Sequence, residues 1–188
     1  MNNPIKEDFN MNVAVYCGSS AGNRPIYIET ATQLGKALAT NGFGIVYGGS
    51  NIGLMGAMAS EALNFGGRVI GIMPEHLSKR EIAHIGLTEI HFVESMHARK
   101  KMMVDLADAF VAMPGGCGTL DEYFEVFTWA QIELHTKPVI LFNIDGYYDA
   151  LLQHFERMIE DGFVRESHRE ILKVATSVEE LISILKEA

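Results

Sequence analysis

A doubly wound α/β fold, with one parallel sheet covered by helices on both faces, is the architecture this 188-residue sequence predicts. Three observations carry that prediction. Short apolar runs alternate with segments of helical period along the whole chain. The runs are continuously apolar, the mark of strands buried on both faces. Glycine-rich turns follow three of the strands, at the end of such a sheet where ligands bind.

Residues 1–10 are polar and read as a flexible N-terminal arm, with no apolar segment of a secretory signal. Residues 13–16 form the first strand and 17–22 a turn of small residues. In 26–39, Ile28, Ala31, Leu34 and Leu38 recur at helical spacing, and Asn41-Gly42 supplies the stop. A second strand at 44–47 runs into the turn Gly48-Gly49-Ser50-Asn51-Ile52-Gly53 and a helix over 54–65. The third strand, 68–73, ends at Pro74; 75–86 is irregular and charged, with a short helix from Ser78. A strand at 89–93, a helix at 95–107 and a strand at 109–112 follow. The chain continues with a helix over 119–134, a strand at 137–142, a helix at 147–159, a short strand at 172–175 and a helix at 177–186 capped by Ser177. No linker or internal repeat interrupts 11–188, which therefore read as a single Rossmann-like domain.

Composition excludes several functions. Hydrophobic residues make up 48% and charged residues 21%, as in soluble globular proteins. A net charge of -9 without a basic cluster disfavours nucleic acid and anionic membrane as partners. No apolar run approaches the ~20 residues of a membrane helix. Cys17 and Cys117 fit neither a disulfide framework nor a zinc spacing, which points to a reducing cytoplasm. The histidines show no metal-binding spacing, and no metal or redox cofactor is expected.

The chemistry concentrates at Met113-Pro114-Gly115-Gly116-Cys117-Gly118-Thr119-Leu120-Asp121-Glu122, between a strand and a helix. Such a turn offers backbone N–H groups at the positive end of a helix, and three glycines let an anion approach them. Neither G-x-x-x-x-G-K-[ST] nor G-x-G-x-x-G with its acidic partner is present. For Glu122 two readings stand: a general base, kept ionised by the helix N-terminus, or the last member of a capping box begun by Thr119. Ser78 and Glu81 share the same spacing. Arg99 interrupts the apolar stripe Met96, Met103, Leu106, so it is either a buried cation with an anionic partner or an arginine that reaches out to solvent. Lys100, one step round the helix, reads by itself as a surface charge. Cys117 is either a nucleophile near a helix N-terminus or a small filler without a histidine partner. The stripe Leu120, Phe124, Phe127, Gln131 and the lone Trp129 read as core or subunit contacts.

Pro114 to Glu122 and Met96-His97-Ala98-Arg99-Lys100 together resemble the LONELY GUY family of cytokinin riboside 5′-monophosphate phosphoribohydrolases. Tyr16-Cys17-Gly18-Ser19-Ser20, the turn from Gly48 to Gly53, and Thr128-Trp129-Ala130-Gln131 support the likeness in the family's order. The resemblance implies a nucleotide-binding catalytic domain that hydrolyses the N-glycosidic bond of N6-substituted adenosine monophosphates, with plain AMP accepted by some relatives. It implies that Arg99 and Glu122 are the catalytic pair and that Gly115, Gly116, Gly118 and Thr119 hold the 5′-phosphate. Cys117, Leu120 and Asp121 would line the same site, with Glu81, Lys100 and Thr128 helping to bind the nucleotide. A homodimer or larger homo-oligomer is also implied. The family's older label, lysine decarboxylase, fits less well, because a pyridoxal phosphate enzyme needs a Schiff-base lysine and only Lys100 is at hand. Two rivals are a carrier without turnover on the same scaffold and an N-glycosidase for another monophosphate. Cys117 and Ser50 depart from the family's usual residues and bear on substrate preference.

Overall fold

A strand that lies in the middle of a covered sheet must be apolar on both faces, and the apolar runs become such strands in the computed structural model, which describes residues 11–78 and 83–188. These are β1 (Met11–Tyr16), β2 (Phe43–Tyr47), β3 (Val69–Pro74), β4 (Glu89–Val93), β5 (Ala109–Ala112), β6 (Val139–Phe142) and β7 (Leu172–Ala175). They form one sheet in the order β4-β3-β2-β1-β5-β6-β7, every pair parallel. The connecting helices are α1 (Pro25–Thr40), α2 (Gly53–Asn64), α3 (Glu75–Ser78), α4 (Met96–Leu106), α5 (Cys117–Gln131), α6 (Asp149–Glu160) and α7 (Val178–Lys186).

Alternation along each strand divides its side chains between two cores. Val13, Val15, Ile45 and Tyr47 join Leu34 and Leu38 of α1, Met58 of α2 and Leu181 of α7 on one face. Ala14, Tyr16, Val46 and Ile70 join Met103 of α4, Tyr123 and Phe127 of α5 and Phe155 of α6 on the other. The edge strands β4 and β7 are only half-buried. Among the described residues no helix is long and apolar enough to cross a membrane.

The strand order reverses between β1 and β5, which pair from Val13 opposite Ala109 to Tyr16 opposite Ala112. Beyond their carboxyl ends the chain departs to opposite faces, into α1 after β1 and α5 after β5, and a crevice opens between the two turns.

Most elements fall within a few residues of their sequence-based positions, and three differences matter. α5 begins at Cys117, two residues before the expected Thr119. α3 is a single turn that ends at Ser78, where a helix was expected to begin. Two 3-10 turns, Ile144–Gly146 and Glu166–Ile171, were not expected at all. The arm at 1–10, the capping box ending at Glu81 and the substrate contact expected of Glu81 lie outside the described residues.

Candidate active site

Two helix starts build the site. α4 is capped by Ser95, whose side chain accepts a hydrogen bond from the Ala98 N–H at 3.1 Å. Arg99 therefore sits one turn in, on the face turned toward the sheet, and is only 7% exposed. Its Nε donates to the Ile72 carbonyl of β3 at 3.1 Å. A side chain on Gly48 would collide with the guanidinium, so the glycine turn after β2 forms the wall behind Arg99. The reading of Arg99 as a solvent-seeking cation is thereby ruled out.

α5 has Gly116 at its N-cap position, with no side-chain cap. Thr119 is the third helical residue and its N–H bonds the Gly116 carbonyl at 3.1 Å. The capping-box reading of Thr119 and Glu122 is thus wrong: a box needs its threonine at the cap, and the helix starts too early for that. Glu122 instead turns inward, 7% exposed, with Oε1 3.7 Å from Arg99 Nη1. It accepts no hydrogen bond from any described residue, so its oxygens are available to a ligand or water. Burial raises the Glu122 pKa above its ordinary value, opposed by the Arg99 charge. The direction is upward because desolvation of the carboxylate outweighs the favourable charges around it.

The loop between β5 and α5 carries free donors, and two of its residues, Gly116 and Gly118, border the same space. The N–H groups of Gly115, Gly116, Cys117 and Gly118 bond to no described residue. Their neighbouring carbonyls, by contrast, are engaged: Pro114 accepts from the Gly18 N–H at 3.1 Å, and Gly116 accepts from Thr119 and Leu120. Free amides at a helix start form an anion site.

A cavity of about 230 Å³ joins these groups, lined by Cys17, Gly18 and Ser19 after β1, Met55, Met96 and Arg99, and Gly116, Gly118, Thr119, Asp121 and Glu122. Two of the three glycine turns thus face it directly, and the third, at Gly48, supports it through Arg99. Sequence reasoning had not assigned Met55, Met96 or Cys17 to the lining. Cys17 is a fully buried thiol whose pKa burial pushes well up, so it is an inert wall.

Lys100, Cys117, Leu120 and Thr128 lie elsewhere, on an open groove beside α5 together with Phe124, Glu125 and Trp129; Asp121 borders both spaces. Lys100 is not a plain surface charge, because its Nζ pairs with Asp121 at 3.1 Å and Glu125 at 3.2 Å. Burial works to lower the Lys100 pKa, yet the bonds to Asp121 and Glu125 prevail and hold it above its ordinary value. An amine that forms a Schiff base needs the opposite shift. Cys117 is an exposed free thiol at the first helical position.

Fold and site define a doubly wound α/β protein with a loop of free amides beside a buried carboxylate and guanidinium. Residues 55–185 match a family described as a possible lysine decarboxylase. A probable cytokinin riboside 5′-monophosphate phosphoribohydrolase of Oryza sativa subsp. japonica is 47% identical over 176 residues, 93% of this chain and 72% of that protein. A cytokinin riboside 5′-monophosphate phosphoribohydrolase of Arabidopsis thaliana is 46% identical, over 93% of this chain and 81% of its own. The chain belongs to this family, the one its motifs resemble. Among solved structures, the molybdenum cofactor binding protein of Rippkaea orientalis is 26% identical with a TM-score of 0.71, covering 94% of this chain and 96% of that one. The Moco carrier protein of Chlamydomonas reinhardtii, 22% identical with a TM-score of 0.72 over 94% and 96% of the two chains, shares the fold.

Proposed function

We propose that the chain hydrolyses the N-glycosidic bond of adenosine 5′-monophosphates, the N6-substituted ones and AMP among them, releasing the free base and ribose 5-phosphate. The observation that carries this reading is the buried Glu122 and Arg99 pair in one cavity with Gly116 and Gly118, whose amides are free. The 5′-phosphate takes the amides of Gly115, Gly116, Cys117 and Gly118 with the Thr119 hydroxyl, which puts the ribose against the pair. Cleavage at the anomeric carbon passes through an oxocarbenium-like state that a carboxylate stabilises. Glu122 also removes the proton of the attacking water, and the glycosidic electron pair leaves with the base, which is reprotonated from solvent. A raised pKa suits a carboxylate to proton transfer nearer neutral pH. Arg99 binds ribose hydroxyls or phosphate and holds Glu122 in place.

Asp121, Lys100, Leu120 and Thr128, on the adjoining groove, contact the rest of the nucleotide, and Glu81 does so on the strength of the resemblance. The same groove, with Phe124 and Trp129, is the surface proposed for a homodimer or larger assembly, in a cytoplasmic protein; sedimentation at micromolar concentration checks the assembly. The experiment for the activity is incubation with isopentenyladenosine monophosphate, AMP and other monophosphates, following free base by chromatography. Release of base from the N6-substituted nucleotide is expected. Binding without cleavage of any of them would leave a binding or carrier protein without turnover; the Rippkaea orientalis relative is named as a binding protein.

A further inference from the structure

The loop that offers its amides to the cavity is held from behind by two consecutive tyrosines that belong to neither motif of the site. Tyr147 Oη donates to the Gly115 carbonyl at 2.5 Å, and Tyr148 Oη donates to the Met113 carbonyl at 2.6 Å. The segment that delivers them is built for the purpose. After β6, Asp145 and Gly146 both adopt left-handed backbone, with φ of 51° and 72°, and turn the chain back toward the loop. The buried Asn143 fixes that turn, accepting from the Tyr148 N–H at 2.7 Å and donating to Asp149 Oδ1 at 2.7 Å. The Tyr147 ring is wedged edge-on between Tyr27, at 5.6 Å, and Tyr148, at 4.8 Å. Arg24 ion-pairs with Asp145 on the outer side.

Peptide geometry gives the two hydroxyls different consequences. In a trans peptide the carbonyl of one residue and the N–H of the next point in opposite directions. Holding the Gly115 carbonyl toward Tyr147, which is outside the cavity lining, therefore turns the Gly116 N–H away from Tyr147, and Gly116 lines the cavity. The donated bond also polarises that peptide and strengthens its N–H as a donor. The Met113 carbonyl precedes Pro114, which has no N–H to aim. Tyr148 can only tie the loop down.

We infer that Tyr147 is a positioning residue for the anion-binding loop, its hydroxyl setting the Gly116 amide toward the phosphate of the substrate. The inference rests on the reading that this loop holds the 5′-phosphate. The single Gly116 contact is taken as made equally before and during reaction, and the loss of such a uniform contact shows in KM and not in kcat.

The test compares the wild type, Tyr147→Phe and Tyr148→Phe by calorimetric binding of ribose 5-phosphate, by steady-state kinetics and by thermal melting. For Tyr147→Phe, the affinity for ribose 5-phosphate falls and KM for the nucleotide rises, each about 5- to 10-fold, the weight of one hydrogen bond. Its kcat stays within about twofold and its melting temperature is unchanged, since Tyr147 is partly exposed. Tyr148→Phe leaves the buried Met113 carbonyl unpaired, so it lowers the melting temperature and keeps KM within about twofold. Unchanged ribose 5-phosphate affinity in Tyr147→Phe, or the pattern of Tyr148→Phe in both variants, overturns the inference, as does a wild type that binds no ribose 5-phosphate. A wild type that binds ribose 5-phosphate but cleaves no monophosphate removes the proposed hydrolysis alone, and Tyr147 is then judged on binding.

Discussion

The turns after β2 and after β5 look alike as sequence, each a cluster of glycines between a buried strand and a helix, yet they end in different places. The β5 turn faces the cavity with unpaired amides and leads to Glu122 one turn into α5. The β2 turn does not line that cavity; it packs behind Arg99, and its Gly49 carbonyl is bonded to the His84 N–H. The difference follows from strand order. β5 and β1 flank the reversal, where helices part to opposite faces and leave a crevice, whereas β2 lies one strand further in with β3 on its other side. Glycine richness therefore marks close backbone approach, and the topology decides whether a ligand or a side chain makes it.

Substitutions in the two turns and their attached groups should separate these roles. The largest effect is expected from Glu122→Gln at the end of the β5 motif: turnover falls about 10³-fold while the protein still melts cooperatively, the scale of a lost general base. Near-normal rates of free-base release in that variant would remove Glu122 from the chemistry. Next comes Gly48→Ala in the β2 turn. The new methyl displaces the Arg99 guanidinium, so kcat drops about 10- to 100-fold, as for a misplaced positioning group. A crystal structure showing Arg99 unmoved, or activity within twofold of wild type, would break the claim that this turn serves Arg99. The smallest effect is expected from Ser50→Gly: Ser50 is fully buried but outside the cavity lining, and kcat should stay within about twofold, measured in the same assay.

The fold was readable because the central strands are almost wholly apolar and most boundaries carry glycine, proline or a cap, signals that survive without tertiary context. The pairing of Arg99 with Glu122 was half readable. Arg99 showed itself as a cation on an apolar stripe, and the structure supplies its partner. Glu122 was obscured by a coincidence of spacing, since a threonine three residues before a glutamate recurs inside helices as well as at their starts. Gly116, the actual cap, leaves no side-chain signature. Lys100 looked like a surface charge because Asp121 and Glu125, its partners, sit on another helix. Tyr147 and Tyr148 were invisible for the same reason: the carbonyls they hold lie more than 30 residues upstream and are brought to them only by the pairing of β5 with β6. Glu81, assigned by resemblance, lies outside the described residues.

The central claim is that a buried carboxylate, moved from its ordinary ionisation by its surroundings, performs the chemistry at the β5 turn. Its most direct test is the pH dependence of kcat at saturating nucleotide, which reports groups in the bound complex. A base acts when deprotonated, so kcat holds above the Glu122 pKa and falls as pH drops through it. Burial raises that pKa, and the acid limb should therefore begin above the ordinary carboxylate range. A kcat that stays level until the pH reaches that ordinary range would contradict the account.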